Sequence, residues 1–350
     1  MLITHMPVTK ADDPQAPYEL MAALGHVLSS PQRLRMLHLL CQCDRTVEDL
    51  AKAMTQPLAN VSHHLQLLHK VNLVAKRRLG RHIAYGLADE SVRDFWLQYR
   101  DYCGTRLAEL QQLFNQLNSR RSQHGGTVSR EVLAALGHVL SSPQRLRMLH
   151  LLCQCDRTVE DLAKAMTQPL ANVSHHLQLL HKVNLVAKRR LGRHIAYGLA
   201  DESVRDFWLQ YRDYCGTRLA ELQQLFNQLN SRRSQHGGTV SREVLADLLK
   251  KDAVVLVDVR PREEFDADHL PGAISIPLAE LIQRAGELPQ DKLVVLYCRG
   301  PYCLLGDTAQ QQLAAKSIRA LRLNEGVKDW AAAGLPHKRT PGRSEERRVG

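Results

Sequence analysis

The sequence has no apolar run long enough to span a bilayer, a task that needs about 20 consecutive apolar residues. Its opening stretch, MLITHMPVTKADDPQAPYEL, lacks the charged start and apolar core of a secretion signal. Both absences point to a cytoplasmic chain whose thiols are reduced. A disulfide framework is therefore not expected, and the eight cysteines are read as catalytic, sensing, metal-binding or buried. With 44% apolar and 24% charged residues over 350 positions, the chain suits two or three soluble domains with proper cores.

The formal charge of +11 is unevenly placed. Counting Lys and Arg against Asp and Glu, residues 1–21 carry −2, residues 246–350 carry +1 and residues 22–245 carry +12. A concentrated cationic excess suggests an anionic partner, most simply nucleic acid.

The chain repeats itself: Ala22–Leu133 and Ala134–Leu245 are identical over 112 positions. Evolved repeats drift and usually have periods of about 20–50 residues. A perfect copy of domain length means a very recent duplication or an error in assembling the gene, and a single-copy gene is the expectation. The hexapeptide SREVLA closes the unit oddly: Ser241–Ala246 runs into DLLKKDAVVLVDVR, whereas Ser129–Ala134 runs into ALGHVLSS. The tail Arg343–Gly350, RSEERRVG, resembles a translated sequencing adapter and is expected to be non-native. The expected organisation is a disordered 1–17, a first domain 18–121, a linker 122–130, a second copy 131–233, a linker 234–241, a different domain 242–338 and a tail 339–350.

Within each copy, PQRLRMLHLLCQC places Leu34, Leu37 and Leu40 on one helical face, with Pro31 suited to the first turn. TVEDLAKAM sets Thr46 as an N-cap with Asp49 three residues on. After the break TQP, LANVSHHLQLLHKVN repeats Leu58, Val61, Leu65 and Leu68 at helical spacing. Two short helices joined by a tight turn, the second polar and basic outside, describe a helix-turn-helix. LVAKRRLGRHIAYGLA then reads as two strands around Leu79-Gly80, with Lys76, Arg77, Arg78, Arg81 and His82 near the tip. A cation-tipped hairpin beside a recognition helix is a winged helix, in which the wing contacts phosphates and the helix reads base edges.

LANVSHHLQLLHKVNLVAKRRLGRHIAYGL resembles the recognition helix and wing of the ArsR/SmtB family of bacterial repressors, over roughly residues 18–118 and 131–230. The resemblance implies a homodimer held by the first and last helices on palindromic operator DNA. By position it implies DNA contacts from Gln56, Asn60, Ser62, His63, His64, Arg78 and Arg81, and from Gln168, Asn172, Ser174, His175, His176, Arg190 and Arg193. Pairing is either between two chains or between the two copies in one chain, since ESVRDFWLQYRDYCGTRLAELQQLFNQL is a long amphipathic helix suited to it.

Cys41, Cys43 and Cys103, with Cys153, Cys155 and Cys215 in the second copy, could form a soft-metal or thiol-sensing site, or be buried structural thiols. The family's arsenic sensors carry cysteines on the third helix, where this sequence has Thr46-Val47-Glu48-Asp49. Its zinc sensors use histidines on the last helix, and residues 89–118 contain none. No metal and no cofactor are expected.

From Asp247 strands alternate with helices. AVVLVDVR, KLVVLYC and IRALRL read as buried strands, GDTAQQQLAAK and GVKDWAAAGLP as helices, and PREEFDADHLPGAISIPLAEL as loop, short strand and helix. This is an α/β domain with a central parallel sheet, whose ligands bind at the carboxyl ends of the strands. CRGPYC, residues 298–303, sits at such an end. Converging loop amides, the N-terminus of the next helix and Arg299 would together lower a cysteine pKa and make a thiolate nucleophile. Tyrosine phosphatases need an arginine six positions after the cysteine, where this chain has Leu304. DVRPREEFDADHLPGAISIP, YCRGPYC and GVKDWAAAGLP together resemble the rhodanese family over about 243–337. That resemblance implies that Cys298 takes a sulfane sulfur from a donor such as thiosulfate or polysulfide, holds it as a persulfide and passes it on. It also implies structural roles for Asp258, Arg260, His269, Pro271 and Gly272, with Asp268 replacing a common Gly. Cys303 could resolve the persulfide as a disulfide or simply open the next helix.

The combined expectation is a multidomain protein: two winged helix-turn-helix (α+β) copies followed by an α/β rhodanese domain, acting as an ArsR-type repressor for sulfur or redox stress genes. The alternatives are a sulfurtransferase whose winged helices serve dimerisation, and a metal-responsive repressor.

Overall fold

The computed structural model of the protein describes residues 10–79, 82–117, 130–191 and 194–339. The chain divides into two compact units: Tyr18–Leu149 with Thr158–Gln223, and Met1–Pro17 with His150–Arg157 and Gln224–Gly350.

The first copy of the repeat runs α1 (Ala16–Leu28), α2 (Pro31–Leu40), β1 (Arg45–Thr46), α3 (Val47–Met54), α4 (Leu58–Lys70), β2 (Val74–Leu79), β3 (His82–Leu87) and α5 (Glu90–Leu117). The second runs α6 (Arg130–Leu140), α7 (Pro143–Leu152), β4 (Arg157–Thr158), α8 (Val159–Met166), α9 (Leu170–Lys182), β5 (Val186–Leu191), β6 (His194–Leu199) and α10 (Glu202–Arg218), continued by α11 (Ala220–Gln235). The apolar periodicity of the sequence is the buried face: Leu34, Met36, Leu37 and Leu40 of α2, Leu50 and Met54 of α3, and Val61, Leu65 and Leu68 of α4. Leu58 departs from that expectation: it is 50% exposed. The hairpin closes from Val74↔Leu87 to Leu79↔His82.

The two copies meet reciprocally. Phe95 stacks on Tyr214 with centroids 3.9 Å apart, and Tyr102 on Phe207 at 4.1 Å. Tyr99 Oη donates to the Leu133 carbonyl at 2.7 Å, and Tyr211 Oη to the Met21 carbonyl at 2.8 Å. Gly25 and Gly137 lie against the other copy's backbone: a Cβ on Gly25 would come within 2.4 Å of the Leu140 carbonyl carbon, and one on Gly137 within 2.4 Å of that of Leu28. Each contact has a counterpart in which the copies exchange roles, the signature of a two-fold isologous interface.

The second unit is built on a five-stranded sheet. Its elements are β7 (Thr239–Val240), α12 (Arg242–Lys250), β8 (Val254–Asp258), α13 (Arg262–Ala267), β9 (Asp268–His269), β10 (Ile274–Ser275), α14 (Leu281–Arg284), β11 (Leu293–Cys298), α15 (Leu305–Ala314), β12 (Ala320–Gly326), α16 (Val327–Ala332) and β13 (Lys338–Arg339). The strand order is β10-β8-β11-β12-β7, parallel throughout. Each face buries a core, one around Val257, Val294, Leu296 and Leu313, the other around Leu256, Val295, Leu323 and Trp330. Apolar residues on both faces explain the near-continuous hydrophobic strands in the sequence.

Two expectations are corrected here. The stretch 234–241 is not simply a linker, because Thr239–Val240 pairs with Arg322 and Leu323 as the sheet edge. The stretch after Pro261 is helical over Arg262–Ala267, not loop, with Glu263 and Glu264 in the favourable first turn. Residues 1–9, most of the expected linker 122–130 and residues 340–350 of the tail lie outside the described residues, while Lys10–Asp12 form a short 3-10 turn.

Candidate functional site

The winged helices present a polar surface from α4 and α9. A full capping box opens α3: Thr46 Oγ1 accepts from the Asp49 amide at 3.1 Å, and an Asp49 carboxylate oxygen accepts from the Thr46 amide at 3.3 Å. Thr55 then turns left-handed at φ 55°, which swings the chain into α4. With Val61, Leu65 and Leu68 turned inward, Asn60 and His63 are exposed, and Gln56, Ser62 and His64 are half-buried; Asn172, His175, Gln168, Ser174 and His176 repeat the pattern. His64 and His176 are less available than their neighbours: each has a buried Nδ1 without a partner, and burial, with Arg33 or Arg145 nearby, lowers its pKa. Arg78 and Arg190 are exposed on the wing strands, while Arg81 and Arg193 lie outside the described residues. Arg77 is turned back instead, paired with Asp44 at 2.9 Å and donating to the Leu87 carbonyl at 2.8 Å. The sequence reading missed Ile83 and Ile195, apolar but about 60% exposed on the wings; strand alternation alone does not say which face meets solvent.

The six thiols of the copies differ in burial. Cys103, Cys153 and Cys215 are buried, Cys41 and Cys155 half-buried and Cys43 exposed. Burial pushes Cys41 up, Cys155 up to about 11, and Cys103 and Cys215 well up. Among the described residues, no group of three or more His, Cys, Asp or Glu could hold a metal ion.

Cys298 ends the central strand β11 and is fully buried. Beyond it the chain turns through Gly300 at φ 127°, a conformation open to glycine alone in practice. Arg322, on the neighbouring strand β12, reaches under this loop. Its Nη2 lies 3.5 Å from Cys298 Sγ and donates to the carbonyls of Gly300 at 3.1 Å and Cys303 at 2.7 Å. The first turn of α15 closes the other side: a Cβ on Gly306 would lie 3.2 Å from Cys298 Sγ. Hydrogen bonding with Cys303, the largest influence, and the Arg322 charge outweigh burial and hold the Cys298 thiol well below its ordinary range. Cys303 is pushed up in turn by its bond with Cys298 and by burial, and Cys298 Sγ lies 3.7 Å from the Cys303 carbonyl oxygen.

Arg299, the cation expected to activate Cys298, makes its hydrogen bonds elsewhere. Its guanidinium turns away to Glu264, with Nη2–Oε1 at 2.6 Å and Nε–Oε2 at 2.9 Å. Glu264 is fully buried and also accepts from Arg157. The cation that reaches the Cys298 sulfur is Arg322, which the sequence expectation passes over inside the strand ALRLNEG; an arginine flanked by Leu321 and Leu323 in a buried strand was the available signal. Asp258 and Arg260 are both fully buried, with the Arg260 fork on Asp258 at 2.7–3.1 Å and on the Asp268 carbonyl at 2.6 Å. His269 Nδ1 meets the Phe265 carbonyl at 2.8 Å, its ring stacks on Phe265, and Gly272 turns at φ 75°. Asp268 is not idle either, since it pairs with Lys328 at 2.7 Å.

Known families match both regions. The model of a rhodanese-like domain covers residues 241–333, and that of the arsR family of bacterial regulatory proteins covers 30–76 and 142–188. The HTH-type transcriptional regulator Rv0324 of Mycobacterium tuberculosis is 36% identical over 207 residues, covering 58% of this chain and 89% of that protein. The chain belongs to the arsR family of regulators, in a form fused to a rhodanese domain. A protein named sulfurtransferase from Allochromatium vinosum is 34% identical over 92 residues, 25% of this chain and 82% of its own. The homodimeric winged helix-turn-helix DNA-binding domain of a Mycobacterium bovis protein is 30% identical, with a TM-score of 0.25, over 28% of this chain and 95% of its own. No described helix is long and apolar enough to cross a membrane.

Proposed function

We propose that this arsR-family regulator binds operator DNA through α4, α9 and the wings, and that Cys298 accepts a sulfane sulfur from a donor such as thiosulfate or polysulfide. The observation that carries the sulfur half is the position of Cys298: a buried thiol held 3.5 Å from Arg322 at the mouth of α15. A thiol whose pKa is lowered in this way has a larger thiolate fraction and is a better nucleophile. It attacks the outer sulfur of thiosulfate, the S–S bond breaks, sulfite leaves, and a Cys298 persulfide remains. A nucleophilic acceptor then takes the outer sulfur and restores the thiolate.

The DNA half rests on the exposed Asn60, His63 and Arg78, with Gln56, Ser62 and His64 half-buried beside them, and on their equivalents Asn172, His175, Arg190, Gln168, Ser174 and His176. The reciprocal pairing of the two copies supports a two-fold reader of a palindromic site, formed within one chain or between two. The regulatory role is control of sulfur or redox stress genes, with sulfur passing from Cys298 toward the thiols of the repeat. Cys41, Cys43 and Cys103, and Cys153, Cys155 and Cys215, are the candidate recipients. The raised pKa values of Cys103, Cys215 and Cys155 make those three slow acceptors in the folded state.

The test is binding of reduced protein to its own promoter DNA at fixed salt, with and without thiosulfate or polysulfide, for wild type and Cys298→Ser. The account expects the donor to weaken binding only when Cys298 is present. Equal binding in all four conditions would separate the two halves and remove the switch.

A further inference from the structure

The helix that joins the repeat to the sheet ends against the Cys298 loop. Arg233, on α11, is only 1% exposed, and a buried cation is stable only when its donors are met. Most are aimed at the loop and helix around Cys298. Nε donates to Asp307 Oδ1 at 2.6 Å and Nη2 to Asp307 Oδ2 at 3.1 Å. Nη2 also donates to the Pro301 carbonyl at 2.8 Å, within the loop. Nη1 donates to Asn230 and Asn324 at 3.1 Å each. Asp307 in turn faces Arg322 at 3.5 Å, and Arg322 faces Cys298.

We propose that Arg233 is a positioning residue of the Cys298 site, so that the joining helix completes a centre the rhodanese-like segment 241–333 does not hold by itself. The inference rests on the reading of Cys298 as the sulfur-handling thiol. Arg233 does two things. It pins the loop at Pro301, which has no amide hydrogen of its own. It also neutralises Asp307, leaving the Arg322 guanidinium to the sulfur. Without Arg233, the Asp307 carboxylate draws Arg322 toward itself and sets an uncompensated negative charge near the thiolate. The other groups near Cys298 do not replace it: Cys303 carries no positive charge, and Arg299 is paired with Glu264.

The experiment is peptide-resolved alkylation of Cys298 by iodoacetamide in the full chain, across pH, for wild type, Arg233→Gln, Arg233→Lys, Asp307→Asn and the double variant Arg233→Gln/Asp307→Asn. Arg233→Gln is expected to raise the alkylation midpoint by about one pH unit, the usual size of one nearby charge. Asp307→Asn is expected to lower it, and the double variant to return it to the wild-type value or below. Arg233→Lys keeps the charge and is expected to recover most of the shift. A midpoint unchanged in Arg233→Gln, or a rise that Asp307→Asn does not reverse, overturns the proposal. If Arg233→Gln does not fold, Asp307→Asn alone decides, and an unmoved midpoint there overturns it equally. Consumption of thiosulfate with cyanide as acceptor, compared between wild type and Cys298→Ser, reads the sulfur assignment separately. Equal consumption in both sinks that assignment and leaves the midpoint comparison intact.

Discussion

Cys298 and Cys215 are both fully buried thiols, and their chemistry is opposite. Cys215 sits in the interior of the paired repeat, where burial drives its pKa up and outweighs a hydrogen bond with Tyr211. Cys298 sits at the end of a parallel strand, where hydrogen bonding with Cys303 and the charge of Arg322 reverse the effect of burial. A low-dielectric interior strengthens whatever electrostatics are built into it. The same residue type thus has a raised pKa in one region and a lowered one in the other, and the difference lies in the neighbouring groups rather than in exposure.

The largest effect that would break this comparison is loss of the nucleophile itself. Cys298→Ser is expected to abolish thiosulfate sulfurtransfer, while the corresponding change at Cys215 leaves it intact; a steady-state assay of both decides. Next comes crowding. Gly306→Ala places a Cβ 2.6 Å from Arg322 Nε and 3.2 Å from Cys298 Sγ, and displacing these groups by about 1 Å is expected to lower kcat/KM about a hundredfold.

Arg322→Met sharpens the comparison by turning Cys298 into a thiol like Cys215. Its alkylation midpoint is expected to rise by about 1–3 pH units, measured by the pH profile of labelling. Stability gives the mirror image. The buried Cys103 and Cys215 have raised pKa values, so below the unfolded thiol pKa of about 8.5 they stay protonated in both states and add no pH dependence. Above it only the unfolded chain sheds protons, and stability falls. A melting temperature that drops from pH 8.5 to 10, less steeply in Cys103→Ala/Cys215→Ala, is the expected result.

The smallest effects belong to the DNA surface. Arg78→Ala with Arg190→Ala is expected to weaken binding across all sequences and to reduce the salt slope by about one for each phosphate released. Asn60→Ala with Asn172→Ala is expected to relax sequence preference instead. Titrations at two salt concentrations against specific and scrambled DNA separate them.

Much of this was legible in advance. The helical spacing of Val61, Leu65 and Leu68, the Thr46 cap and the buried strand LVVLYC each follow from short-range rules, and the structure places them as read. What escaped depended on distance in the chain. Arg299 is adjacent to Cys298 in sequence, yet its side chain belongs to Glu264; Arg322 and Arg233 are remote and carry the site. Local context also failed where identical residues diverge. The repeat forms one helix over Glu90–Leu117 but breaks at Leu219 in the second copy, where the residue adopts ψ 110°. No sequence argument separates two identical segments, so the cause is tertiary.

The central claim is that electrostatic surroundings, not exposure, select the sulfur-bearing cysteine. It is tested most directly by treating the reduced full chain with a slight excess of thiosulfate and mapping persulfides by mass spectrometry. The account predicts a sulfur-atom mass increase on Cys298, with Cys103 and Cys215 unmodified. A persulfide on the repeat cysteines with Cys298 untouched would contradict it.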